Sequence, residues 1–169
     1  MQKEDFLMKS PTRGELNLQE IVGVVRDYIE ESPHDNYQIT IGTDSQNFDR
    51  TKIVEVIAVH RSGKGGIFFY KISYLKRITN IRQKLTQETQ MSLELADAFL
   101  EEMENEFFRS GFVYDEPNIT YTIHVDAGND GKTNVLVPEI VAWVKANGYN
   151  VSIKPYSYAA SSIANKFSK

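Results

Sequence analysis

The chain has 169 residues, of which 41% are hydrophobic and 25% charged, so its size and composition fit one ordinary globular domain. The net charge of −4 at pH 7 argues against a protein that coats nucleic acid through bulk electrostatics, and the absence of cysteine excludes a disulfide scaffold or a zinc–thiolate site. No apolar run reaches the roughly 20 residues that span a membrane, and the N-terminus lacks the pattern of a signal peptide, so we expect a cytoplasmic protein without membrane contact.

The first half of the chain predicts an arm, a helix and three strands. Residues 1–15 lack periodicity and are interpreted as an irregular arm. A helix follows, because Asn17 and Glu20 form a capping-box pattern ahead of apolar residues at helical spacing, and Pro33 ends it. Three β-rich runs joined by short polar turns then predict an antiparallel meander, with strands over 38–44, 53–60 and 67–74.

The second half alternates helices and strands. We predict a long helix over 84–108, a strand over 118–126, a helix over 134–147, a strand over 151–154 and a final helix over 159–167. A meander followed by αβ units requires a mixed α/β sheet, here of five strands with helices on both faces. This is the element order of the ribonuclease H-like fold with an extra N-terminal helix. We expect one domain over 1–169, with the arm and first helix in 1–37 and the core in 38–169.

Two predicted strands end with an aspartate, in each case on the face whose side chains are small or polar. Because side chains alternate along a strand, Asp44 shares a face with Gly42, while Asp126 shares a face with Thr122 and His124. If the two strands are parallel neighbours in register, their carboxylates lie about 5 Å apart. Carboxylates this close repel one another, and a divalent cation removes that cost.

A third carboxylate begins the apolar stripe of the long helix. Glu88 precedes Ser92, Leu95 and Phe99 at helical spacing, so it lies on the side of the helix that faces the sheet. An acid near a helix start also interacts favourably with the helix dipole, which alone would explain Glu88. With the two strand-end aspartates, a three-carboxylate site for Mg²⁺ or Mn²⁺ is the better explanation. Asn165 is either a fourth oxygen ligand or an exposed residue of the final helix.

The chain resembles the YkuK-like family of small bacterial proteins, which is classed as ribonuclease H-like. The resemblance rests on residues 41–46 (IGTDSQ), 87–96 (QETQMSLELA), 124–128 (HVDAG) and 160–166 (ASSIANK). It implies a ribonuclease H-like fold and places Asp44, Glu88 and Asp126 where that superfamily holds its catalytic carboxylates. One position departs from the pattern, because Asn165 stands where a fourth acid is usual.

These features favour a metal-dependent nuclease that hydrolyses phosphodiester bonds. Its substrate would be RNA, DNA or an RNA–DNA hybrid, with phosphate contacts from Arg82, Lys84, Lys132 and Lys166. His124 either orients a ligand, shuttles a proton or makes a structural hydrogen bond, and the last is the usual role of a histidine in a strand. The alternative is a non-catalytic ribonuclease H-like module that binds nucleic acid or a partner protein. A Walker A loop is excluded, because the position that needs its first glycine is Asp126.

Overall fold

The computed structural model describes residues 6–110, 118–129 and 131–157 of the chain. The predicted final helix, and with it Asn165 and Lys166, lies outside the described residues. Every other predicted helix and strand is found within them.

A mixed sheet of seven strands forms the centre of the molecule. The strands are β1 (Met8–Ser10), β2 (Gly14–Leu16), β3 (Asn36–Asn47), β4 (Thr51–Arg61), β5 (Gly66–Leu75), β6 (Asn118–Gly128) and β7 (Asn150–Lys154). Their spatial order is β2-β1-β5-β4-β3-β6-β7. β3, β4 and β5 form the predicted antiparallel meander, and β6 and β7 are added in parallel beyond β3. The α/β class and the mixed sheet are therefore confirmed.

The predicted strand count of five and the irregular arm are wrong. Residues 8–16 form a hairpin, with Met8 opposite Leu16, and Lys9 pairs with Tyr70 at the edge of β5. Gly14 at φ +74° supplies the turn geometry that other residues rarely adopt. Met8 and Leu16 both reach the core. The hairpin therefore extends the sheet and covers the open edge of the meander.

Three helices are described. They are α1 (Leu18–Glu30), α2 (Ile81–Ser110) and α3 (Val137–Ala146), the last preceded by a short 3-10 helix (Asn134–Leu136). The capping box forms as predicted, since Asn17 accepts from the backbone of Glu20 at 2.8 Å and Glu20 accepts from Asn17 at 3.0 Å. None of these described helices has the length and apolar character needed to cross a membrane.

The sheet has two distinct faces. Its helix face carries Ile39 and Ile41 of β3 with their partners on β4, and side chains from α1, α2 and α3 join them in one core. The second face carries Thr40, Gly42 and Asp44 of β3, and has its own small apolar cluster around Val54 and Val56. We predicted helices on both faces; the helices that the structure describes join the core of the helix face.

Candidate functional site

Asp44 and Asp126 lie at the ends of two neighbouring parallel strands. The last registered pair of β3 and β6 is Gly42 with His124, and each aspartate comes two residues later on the same face. Burial, followed by the negative charge of Asp126 and a hydrogen bond with it, raises the pKa of Asp44 to about 7. A hydrogen bond between two carboxyl groups requires a proton on one of them. The two carboxyl groups are therefore close enough to interact directly.

Glu88 reaches this region from the second turn of α2. Its side chain is buried and accepts a short hydrogen bond from the hydroxyl of Ser45. Burial raises the pKa of Glu88 to about 8, opposed by the Ser45 bond, and the charges of Asp44 and Asp126 raise it further. A second hydrogen bond, between the hydroxyl groups of Thr43 and Ser92 at 2.8 Å, also joins α2 to β3. It fixes the position of Glu88 along the strand.

Lys154 forms an ion pair with Asp126, Nζ to Oδ1 at 2.7 Å. The bond with Asp126 raises the pKa of Lys154, and the charges of Asp44 and Glu88 add to this effect. The pairing of β6 with β7 is irregular between His124 and Gly128, and this irregularity brings Lys154 opposite Gly128. Sequence reasoning missed Lys154, although a glycine at a strand end is a signal of close backbone approach.

We predict that Gly128→Ala disturbs this corner of the site. A Cβ at Gly128 would lie 2.9 Å from the Cβ of Lys154, so the β7 strand must shift. Overpacking of this kind costs about 1–3 kcal/mol in the free energy of unfolding, measurable by urea denaturation. The matched control is Gly23→Ala in α1, where nothing lies within 4 Å and the better helix former should stabilise by up to about 1 kcal/mol. Equal effects of the two substitutions would contradict the close approach.

The predicted substrate-binding residues lie at different distances from the carboxylates. Lys84, one turn before Glu88, is near enough for its charge to lower the pKa of both Asp44 and Glu88. Arg82 lines an open groove of about 400 Å³ on α2, but its guanidinium pairs with Glu139 of α3 at 2.7 Å. Lys132 is exposed in the turn after β6. Thus Lys84 is the one of these three whose charge reaches the carboxylates.

His124 is buried on the same face as the aspartates. Burial lowers the pKa of His124 to about 4, so its imidazole is neutral at physiological pH. A neutral imidazole can donate or accept a hydrogen bond but carries no proton to deliver as an acid at pH 7. This property suits an orienting role better than proton transfer.

The chemistry of the carboxylates suits a hard divalent cation, because the donors are oxygen atoms that repel one another when ionised. In the structure two of these carboxylates have partners within the protein instead of a cation. Glu88 accepts a hydrogen bond from Ser45, and Asp126 forms an ion pair with Lys154. Within the described ranges, no group of three or more His, Asp or Glu side chains is placed to hold a metal ion. The recess between Glu88 and Asp126 also has no room for a water molecule. Asp44 and Asp126 thus have the donor chemistry that suits a cation, whereas Glu88 is bonded to Ser45.

Comparisons with known proteins agree with this fold. The family described as Ribonuclease H-like matches residues 20–169. The chain belongs to this family. It is also 31% identical over 170 residues to the uncharacterized protein YkuK of Bacillus subtilis (strain 168), an alignment that covers 98% of this chain and 99% of YkuK. No solved structure matches.

Membership confirms the resemblance that the sequence motifs indicated. Ribonuclease H-like folds are nuclease-like and related to nucleic acid chemistry, which agrees with carboxylates at the ends of two parallel strands. Fold alone does not establish activity. The chemistry must therefore be argued from the side chains of this ribonuclease H-like chain.

Proposed function

We propose that this ribonuclease H-like protein is a divalent-metal-dependent nuclease that hydrolyses phosphodiester bonds in RNA, DNA or their hybrid. The observation that carries the proposal is that Asp44 and Asp126 lie side by side at the ends of two parallel strands, each two residues beyond the registered pair Gly42 and His124. Burial, and then the charge of Asp126, raises the pKa of Asp44 to about 7. A structural role would not require two carboxylates to be held together at the cost of mutual repulsion. Glu88 is drawn into the same electrostatic cluster from α2.

Asp44 and Asp126 would hold Mg²⁺ or Mn²⁺, with Glu88 as the third ligand once it has turned from Ser45. The cation would lower the pKa of an attacking water and stabilise negative charge on the leaving oxygen. Lys84 would bind phosphate oxygens beside the carboxylates, and Lys132 would bind a phosphate further along, at the turn after β6. We also propose Asn165 as a ligand, and Lys166 and Arg82 as phosphate contacts.

His124 and Ser45 have supporting roles in this scheme. His124, neutral because its pKa is about 4, would orient a neighbouring group through a hydrogen bond. The hydroxyl of Ser45 donates to Glu88 while the carboxylate is away from a cation. Lys154 would leave Asp126 when a cation binds there. The chain would therefore exchange internal partners of its acids for a metal.

A non-catalytic binding module is the second candidate. The observation that favours it is that Lys154 and Ser45 already provide partners for Asp126 and Glu88 without a metal. Titration with Mn²⁺, followed by calorimetry, separates the two candidates. A nuclease site binds Mn²⁺ with an affinity that Asp126→Ala removes, whereas a module that uses the fold only for binding shows no such site.

Cleavage assays test the proposal directly. End-labelled RNA, DNA and RNA–DNA hybrid of one sequence are incubated with protein stripped by EDTA and then given Mg²⁺ or Mn²⁺. We expect cleavage of at least one substrate by the wild-type protein and by Glu101→Gln, a matched loss of charge on the exposed side of α2. Equal product from wild type and Asp44→Asn would contradict catalysis at these carboxylates.

A further inference from the structure

A basic and aromatic surface lies beside the carboxylates, at the same end of the sheet. We call it the strand-end platform, and it consists of Phe48 and Arg50 in the β3–β4 turn, Lys52 on β4, Tyr74 on β5 and Arg77 after β5. The platform is close to Asp44, because Gln46, two residues after Asp44 on β3, pairs with Lys52 on β4. Strand spacings place the Cα of Lys52 roughly 8 Å from that of Asp44.

Two aromatic rings of the platform face solvent. Phe48 is 55% exposed and Tyr74 is 50% exposed. The guanidinium of Arg50 lies over the ring of Tyr74, 4.7 Å from its centroid. Exposed rings next to arginine are the side chains on which unpaired bases stack in proteins that bind single strands.

Lys52 is a further basic residue of the platform. Its side chain is only 6% exposed, yet it forms neither a hydrogen bond nor an ion pair within the part of the chain that the structure describes. Lys52 lies opposite Tyr74 in the register of β4 and β5, on the second face of the sheet. Positive charge beside exposed rings suits a strand that carries both phosphates and unpaired bases.

Hydrogen bonds hold the platform in place. Arg77 donates to the carbonyl oxygen of Phe48, and Asn47 donates to that of Ile78 at 2.9 Å. The backbone of Ile78 donates in turn to the hydroxyl of Thr51 at 2.8 Å. The turn after β3 is thereby fastened to the segment after β5. A preformed surface binds with less loss of conformational entropy than a mobile loop.

The charge of the platform contrasts with that of the whole chain. Arg50, Lys52 and Arg77 stand against the single acid Asp49 of the same turn, in a protein of net charge −4. Bases in a duplex are stacked on one another and offer no free face to a protein ring. We propose that the strand-end platform binds single-stranded nucleic acid and leads it to the carboxylates. This inference rests on the proposed nuclease function and narrows its substrate to single strands.

Fluorescence anisotropy without metal tests this proposal separately from cleavage. The probes are fluorescein-labelled 12-nucleotide RNA and DNA single strands and the duplexes of the same sequence, in EDTA. We expect single strands to bind more tightly than duplexes, and Tyr74→Ala to weaken single-strand binding about tenfold or more. Tyr74→Phe, which keeps the ring, should bind like the wild type.

Salt dependence tests the lysine. Lys52→Met should reduce the slope of log K against log salt by about 0.7 for a single strand, whereas Lys64→Met, which removes a charge from the β4–β5 turn at the opposite end of the sheet, should leave the slope unchanged. Thermal melts verify that all variants fold. Equal binding by Tyr74→Ala and wild type, or tighter binding of duplex, would overturn the proposal. If the variants change binding as expected but no substrate is cleaved, the nuclease activity is refuted and the platform's role in binding is supported.

Discussion

Replacing Asp44 with asparagine is expected to remove nuclease activity and at the same time to stabilise the metal-free protein. The loss of a ligand carboxylate should lower the cleavage rate on the order of 10³-fold or more. The gain in stability has a separate cause. Burial and Asp126 raise the pKa of Asp44 to about 7, so the ionised form of Asp44 opposes folding as pH rises through 7. Asparagine removes that charge.

The stability effect of Asp44→Asn must depend on pH. At pH 3.5, below the ordinary pKa of 3.8, Asp44 is protonated in most folded and many unfolded chains, and asparagine should change the melting temperature little. At pH 8 in EDTA we expect the variant to melt several degrees above the wild type, because 1 kcal/mol corresponds to about 2–4 °C in a protein near this size. Differential scanning calorimetry at both pH values measures this. A variant that melts lower than the wild type at pH 8 would show that the two aspartates do not repel each other.

Glu55→Gln is expected to stabilise the protein by up to about 3 kcal/mol at pH 8 and by almost nothing at pH 4. Glu55 lies on β4, opposite Thr43 on β3 and Lys71 on β5, with 4% of its surface exposed. Burial raises the pKa of Glu55 to about 7, with Lys71 lowering and Glu94 raising it. Since the pKa is higher in the folded protein, the carboxyl favours folding while protonated. That contribution is lost as pH rises through 7.

Urea denaturation between pH 4 and pH 8.5 measures the difference between Glu55→Gln and wild type. The matched control is Glu94→Gln on α2, whose half-exposed side chain lies beside the same carboxyl. The control should show a smaller gain in stability, because solvent screens an exposed charge. A difference for Glu55→Gln that is independent of pH would contradict the raised pKa.

Strand and helix periodicity correctly predicted the face of the strand or helix on which each carboxylate of the candidate site lies. The alternation of β3 and β6 placed Asp44 and Asp126 on one face, and the observed parallel register confirms that placement. The apolar stripe of α2 placed Glu88 toward the sheet, where it is buried. These predictions succeed because each depends on a period that local sequence contains.

The missed features depend on contacts between distant segments. β1 and β2 have three residues each, too few to show a period. The ion pair of Lys154 with Asp126 depends on the irregular pairing of β6 with β7. Ser45 is a turn-type residue that gains its role only when α2 brings Glu88 to it.

Anomalous diffraction from a crystal soaked in Mn²⁺ tests the central claim most directly, since it locates the ion and its ligands together. We predict a manganese peak between the carboxylates of Asp44 and Asp126, with the ammonium of Lys154 moved away from Asp126. A crystal at saturating Mn²⁺ that shows no peak there and keeps Lys154 on Asp126 would contradict the account.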